Sequence, residues 1–380
     1  MKETSKVSHL AIELAVLLAA LVMLLYPSDG GLYRRYVTDT LRYVWAVVLE
    51  VESETLSDSE LKTGQKLDEQ RLRVRLSDGQ EIVLVNYLTE IHNILLKKGD
   101  SAIVCADMPK NAEPYYTIYN YDRTIPLAVL ITVFVLLLLL IGQREGADAC
   151  LSIVFTLTFI IRVLLPSLFG GASPVGMGYV TVLLSTAVTL ILLHGISIQC
   201  LLSIGATMTG ELVACGMFAV FSQLLHLTGF QTDCAKGLLL IAQNTGLDIR
   251  MLLFAGMMIA SLGAVMDVAV SVLSATREVA LASGKAERKA LFNSAMRLGQ
   301  DMIGTMSNTL IFAFAGSALV TMIVFCSYGI QFHQLLSSDY LSVELAQGIC
   351  STAAVVMTVP VSAMIGAIFY GRTERPRQAS

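Results

Sequence analysis

MLLFAGMMIASLGAVMDVAVSVL, residues 251–273, is an apolar run broken by a single carboxylate, Asp267. About 20 residues at 1.5 Å each match a hydrocarbon core of about 30 Å, so the run reads as a membrane span. An ionisable side chain inside a span costs at least about 2.5 kcal/mol even on lenient insertion scales, and it is normally kept for a partner, an ion or a proton. The run therefore points to the fold class and to the first place to look for function.

Seven more apolar runs fall at 10–26, 126–142, 150–169, 179–195, 200–225, 303–326 and 343–370. The chain has 380 residues, 55% hydrophobic and 15% charged. Its mean hydropathy is +0.68. This excludes a soluble globular protein. The placement of Lys and Arg orients the spans. With the N-terminus inside, the inner segments hold Lys2, Lys6, Arg144, Arg277, Lys285, Arg288, Lys289, Arg297, Arg372, Arg375 and Arg377, while the short outer loops hold little beyond Lys236 and Arg250. Both termini, and the connection 275–299, are expected in the cytoplasm. No A-x-A site follows the first run, so it reads as an uncleaved signal anchor, with a turn at 27–31.

Between 32 and 122 the pattern changes to a period of two. RLRVRLSDGQEIVLVNYL, residues 71–88, alternates apolar and polar positions on both sides of Asp78-Gly79, a hairpin signal. Residues 44–51, 101–107 and 115–122 supply further strands, with a helical turn expected near 88–96 and a tight turn at KKGD, 97–100. The expected fold class is an all-α polytopic membrane protein of about eight transmembrane helices, with a small extracytoplasmic β-barrel-like domain of OB type between helices 1 and 2. The expected boundaries are 1–31 for the anchor helix, 32–122 for the β-rich domain, 123–371 for a seven-helix core and 372–380 for a basic tail. In the β-rich domain Asp and Glu outnumber Lys and Arg, which argues against nucleic acid and for a contact module or a lid.

Gly256, Ala260, Gly263, Asp267, Ser271 and Ser274 recur at spacings of 4, 3, 4, 4 and 3, one face of a helix. Small residues let a neighbouring backbone approach, so Asp267 is expected to point into the bundle. GQDMIGTMSNTL, 299–310, enters from the inside and brings Asp301, Thr305, Ser307 and Asn308 to a similar depth. Asp267 with these four is the candidate ion, proton or substrate site. Arg162 in the 150–169 run and Glu211 in the 200–225 run share a second depth and form a candidate intramembrane ion pair. Glu211 lies on one stripe with Ser203, Thr207 and Ala214. Structural alternatives stand beside both layers: a helix-locking salt bridge for the first pair, and hydration from the inner surface for Asp267. G-A-x-M at 205–208 and again at 263–266 is a short match of the kind that inverted repeats leave in secondary transporters.

Seven Cys are scattered without metal-ligand spacing, so no metal and no cofactor are expected, and pairing of Cys105 with Cys234 stays open. No H-E-x-x-H, G-x-S-x-G or P-loop spacing occurs, and the chain is not expected to be an enzyme. GQREG (142–146), GAVMDVAVS (263–271) and GQDMIGTMSNTLIFAFAGS (299–317) carry a resemblance to the YibE/F family of bacterial multi-pass membrane proteins, running from about 142 to 370. The resemblance implies a permease of the bacterial cell membrane and assigns neither substrate nor site residues. Two readings follow: an ion- or proton-coupled secondary transporter with Asp267 as the coupling carboxylate, or a non-transporting scaffold whose domain at 32–122 binds a protein partner. The lipid bilayer is the common partner, with a small ion or solute in the first case.

Overall fold

The structure, a computed structural model, describes residues 2–25, 40–58, 65–109, 113–229, 239, 241–243, 245–283 and 287–371. The turn at 27–31, Lys236, Cys234, Lys285 and the basic tail 372–380 lie outside the described residues. The chain divides into two compact units, Tyr33–Leu137 on one side and Met1–Leu32 with Leu138–Ser380 on the other.

The first of these units holds β1 (Leu41–Asp58), β2 (Lys66–Leu76), β3 (Glu81–Leu88), β4 (Ser101–Asp107) and β5 (Tyr115–Tyr121). They form one antiparallel sheet in the order β3-β2-β1-β4-β5, curled into a half-barrel. The Asp78-Gly79 hairpin forms as its sequence predicts. Gly79 takes φ 88°, the Asp78 carboxylate accepts the Gln80 N–H at 3.0 Å, and Leu76 N–H reaches Gln80 O at 2.9 Å. Alternation along β2 buries Leu72, Val74 and Leu76 against Val48, Leu84, Leu96 and Val104.

The helical turn expected near 88–96 does not form. That segment is irregular and its backbone bonds to side chains instead. Gln70, 1% exposed, accepts from Leu96 N–H at 3.1 Å and donates to Leu96 O at 3.1 Å, while Asn86 donates to Ile94 O at 2.8 Å. Two buried amides in mid-sheet take the place of helical hydrogen bonds. Gln70→Leu leaves both Leu96 backbone groups stranded, at about 1–3 kcal/mol each. Chaotrope unfolding followed by Trp45 fluorescence should show this domain opening earlier; an unchanged transition would mean that water replaces the amide.

The larger unit is helical. Its elements are α1 (Lys2–Leu25), the later part of α2 (Thr124–Phe159), a π-helical turn (Ile160–Leu164), α3 (Leu165–Phe169), α4 (Pro174–His194), α5 (Ile198–Leu224), α6 (Ile249–Ser283), α7 (Arg288–Ser327), α8 (Phe332–Leu336) and α9 (Asp339–Tyr370). Six helical stretches among the described residues are long and apolar enough to cross a membrane, and 10–25 is a shorter apolar helix. The first of the six is broken at Gln143, with φ 48° and ψ −118°. A Cβ on Gly146 would run into the carbonyl of Leu138, so the chain doubles back there and GQREG makes the bend. The connection expected over 275–299 is mostly helical, because α6 and α7 run on past their apolar runs. At 1.5 Å per residue, the 35 residues of α6 span about 52 Å, well beyond a hydrocarbon core of about 30 Å.

Hydroxyl pairs lock the helices after the bend to α4. Ser152 meets Thr189 at 2.5 Å and Thr156 meets Ser185 at 2.6 Å. Such pairs hold helices together where lipid supplies no hydrophobic drive. α1 docks through Ala20 on Phe155 and Phe159, with Glu13 against Arg144 at 3.3 Å. α9 lies at the centre of the remaining bundle, packed on α5, α6 and α7. Glycines set those contacts. Gly210 of α5 receives Thr358, Gly299 of α7 receives Val359, and Gly366 of α9 receives Thr276 of α6, each so closely that a Cβ would collide.

Candidate functional site

The buried stripe of α5 reads Ser203, Thr207, Gly210, Glu211, Ala214, Phe218 and Ser222. It is the face expected from the helical period, and Glu211 sits in its middle with 0% exposure. Its partner comes from α6. Ser261 Oγ lies 3.0 Å from both Glu211 oxygens and 3.0 Å from the carbonyl of Met257, one turn back on its own helix. Ser261 is likewise 0% exposed. Among the described residues no cationic nitrogen comes within salt-bridge distance of Glu211.

Counting hydrogens limits what this pair can be. A serine hydroxyl has one proton to give. If the carboxyl carries a proton, Glu211 donates to Ser261 Oγ and Ser261 donates to Met257 O, and every group is satisfied. If it does not, Ser261 turns its proton to Glu211, and the negative charge needs a cation that the described side chains do not supply. Neutral, the pair satisfies its own hydrogen bonds; ionised, it lacks a cationic partner among the described residues.

Several buried hydroxyls of the helical unit lack a hydrogen-bond partner among the described residues. Thr207, one turn below Glu211, and Thr186 of α4 are fully buried with their hydroxyls unpartnered, as are Ser351 and Ser362 of α9. Thr358 of α9 and Val265 of α6 close over Gly210, so the carboxyl stands where α5, α6 and α9 meet. Cys215 lies one turn above Glu211, within electrostatic reach of it and of Cys350 on α9. Among the described residues no cluster of three or more His, Cys, Asp or Glu is placed to hold a metal ion.

The residues singled out by sequence fall differently. Arg162 does not pair with Glu211. It sits in the π-helical turn, where Leu165 N–H reaches back five residues to Ile160 O, and it donates to the carbonyl of Leu24 at 2.8 Å. An extra residue in a turn shifts the phase of the helix, and Arg162 ends up serving the carbonyl end of α1, where a cation is favoured. Glu211 meets α6 instead.

Asp267 does share a stripe with Gly256, Ala260 and Gly263, but that stripe is the exposed face of α6. The buried face carries Phe254, Met257, Met258, Leu262, Val265, Val268 and Val272. Large side chains make more packing contacts with the neighbouring helices than glycine and alanine do, and they took the core side. On α7 the pattern repeats. Asp301, Gly304, Thr305 and Asn308 are exposed, Thr305 bonds the Met302 carbonyl at 3.1 Å, and only Ser307 turns partly inward, its hydroxyl unpartnered. Contacts through α9 set the levels: Gly299 against Val359, Gly366 against Thr276, and Gln347 bonded to Leu253 O. By these contacts Asp267 is level with Asp301, while Asn308 and Thr305 stand about one to two turns away along the helix.

Two polar partners were missed. Ser261 lies on the face of α6 away from Asp267, so attention to the carboxylate hid it. Gln199 links α5 to α6 by donating to Ser274 at 2.6 Å and accepting from Arg277 at 2.8 Å. A helical wheel centred on Met257 and Val265 would have shown Ser261 as the polar interruption of an apolar face.

A family model for YibE/F-like proteins matches residues 130–372. The chain belongs to the YibE/F-like family. The matched region of this YibE/F-like protein contains all three helices that meet at Glu211, whereas the curled sheet lies ahead of it. No curated protein and no solved structure matches the chain.

Proposed function

We propose that this YibE/F-like membrane protein is a secondary transporter coupled to protons or small cations, with Glu211 as the group that takes up and releases the ion. One observation carries the reading: a fully buried carboxyl whose hydrogen-bond partner is a serine hydroxyl and which no described cation neutralises. Intramembrane carboxyls of this kind are costly unless they do work. Ser261 holds the proton in place on Glu211, and Asp267, on another face of α6 nearer its Arg277 end, is a second carboxylate that draws the ion toward water. That end, with both termini, is the cytoplasmic side, and the β-rich domain is outside. The OB-type reading of that domain rests on its strand order, which closing β3 against β5 would complete as a barrel.

Glu211→Gln is the test. The amide keeps the shape and still donates to Ser261 Oγ, so folding is retained while the exchangeable charge is lost. In proteoliposomes loaded with a pH-sensitive dye and given an imposed pH gradient, wild-type protein should dissipate the gradient, and Glu211→Gln should do so at least about tenfold more slowly, the scale expected when a proton-transfer group is removed. Equal rates for the two would remove Glu211 from the mechanism. Asp267→Asn should slow the flux without abolishing it.

A further inference from the structure

The curled sheet turns an aromatic face outward. Along β1 the side chains of Leu41, Tyr43, Trp45 and Val47 alternate with the core residues Ala46 and Val48. Trp45 is 58% exposed and Tyr43 56%. β4 and β5 continue the face with Ile103 and Tyr119, the latter ring 4.9 Å from that of Tyr43 in an edge-on arrangement. Solvent-facing strands seldom carry such a set, and an exposed patch of this kind marks an interaction surface. The neighbouring Arg71, Arg73 and Arg75 are occupied by Glu52 and Glu81 at 3.4, 2.7 and 2.9 Å, so the patch is not an anion site.

Chain length limits how far this face can stand from the membrane span. β5 ends at Tyr121 and α2 begins at Thr124. Asp122 caps the start of α2, accepting Thr124 N–H at 2.9 Å. The Thr124 hydroxyl and N–H hold the Asp122 carboxyl below the usual carboxylate range, so the cap persists at neutral pH. From Ile125 the helix is exposed and apolar. Tyr119 is thus five residues from the span, a reach of at most about 17 Å at 3.4 Å per residue. Trp45 pairs with Ile103, which pairs with Asn120, so it belongs to the same end of the sheet. Tyr and Trp are the residues that settle at the headgroup level of a bilayer, with an apolar body and a polar edge.

We propose that the Trp45–Tyr43–Tyr119 face rests on the lipid headgroup surface of the membrane in which the protein sits, so that the domain lies against the bilayer and does not stand clear of it. Binding is apolar and interfacial, and neutral phosphatidylcholine suffices.

Trp45 is the only tryptophan in the chain, so the wild-type protein reports on itself. In nanodiscs of phosphatidylcholine brominated near the headgroup, its emission should be quenched roughly twofold relative to unbrominated lipid, as expected of an indole at the interface. It should also be shielded from acrylamide in the water phase. Tyr115→Trp in a Trp45→Phe background moves the indole to the far end of β5, and its quenching by brominated lipid should be weaker. If Trp45 is untouched by brominated lipid, the proposal is overturned. Full acrylamide quenching would then leave the patch free for a protein partner, and shielding from both quenchers would mean that protein already covers it.

Discussion

Gly299→Val should unfold the junction of α7 with α9. A Cβ at position 299 collides with the side chain of Val359, which is 0% exposed and held among Val355, Ala363 and the other residues of the main core. Overpacking a closed core costs about 1–3 kcal/mol, and the two extra methyls of valine push to the top of that range or past it. Thermal melts in mild detergent should show the loss. Gly304→Val, on the same helix, is the control: nothing lies within 4 Å of its Cβ position, and its melt should stay near wild type. Adding Val359→Ala to Gly299→Val should recover part of the loss by vacating the space. Equal melts for Gly299→Val and Gly304→Val would mean that α9 does not pack on α7 through this glycine.

The second large effect is at the buried carboxyl. Ser261→Ala removes the hydroxyl that Glu211 bonds with and leaves that carboxyl stranded in the core, at about 1–3 kcal/mol. Glu211→Leu takes away the need for a partner, so the double variant Ser261→Ala with Glu211→Leu should be more stable than Ser261→Ala alone. That inversion is the signature of a coupled pair, and strictly additive losses would show that the two side chains do not depend on each other. Glu211→Lys should be worse than any of these. It buries an ammonium at a position with 0% exposure where no carboxylate among the described residues pairs with it, at several kcal/mol, and yields little folded protein.

The contrast between Glu211 and Asp267 explains what was legible. Both are carboxylates in apolar runs, and composition gives the same cost to each. For Glu211 the stripe of Ser203, Thr207 and Ala214 predicts the buried face correctly, because those small residues, with Gly210, let α5 approach α9 closely. For Asp267 the same reasoning chooses the wrong side of α6. There the opposite face is lined with Met257, Met258, Leu262 and Val265, and it takes the core side by packing against the neighbouring helices. Arg162 shows a different limit, since a π-helical turn inserts one residue into the period and no count along the chain reveals it.

Sequence by itself determined that the chain is a membrane protein, that a β-rich segment precedes its helical core, where the Asp78-Gly79 hairpin turns, and that the apolar runs 126–142 and 150–169 are separate. Each of these rests on local quantities: length of apolar run, a period of two, and a residue pair that accepts positive φ. Only the tertiary structure decided that Glu211 meets Ser261 and not Arg162, that Asp267 and Asp301 face outward, and that Gln70 and Asn86 replace a helical turn at 88–96. Those outcomes depend on which of two helix faces packs better against its neighbours and on the register between helices far apart in sequence, and neither is a property of any single stretch of chain.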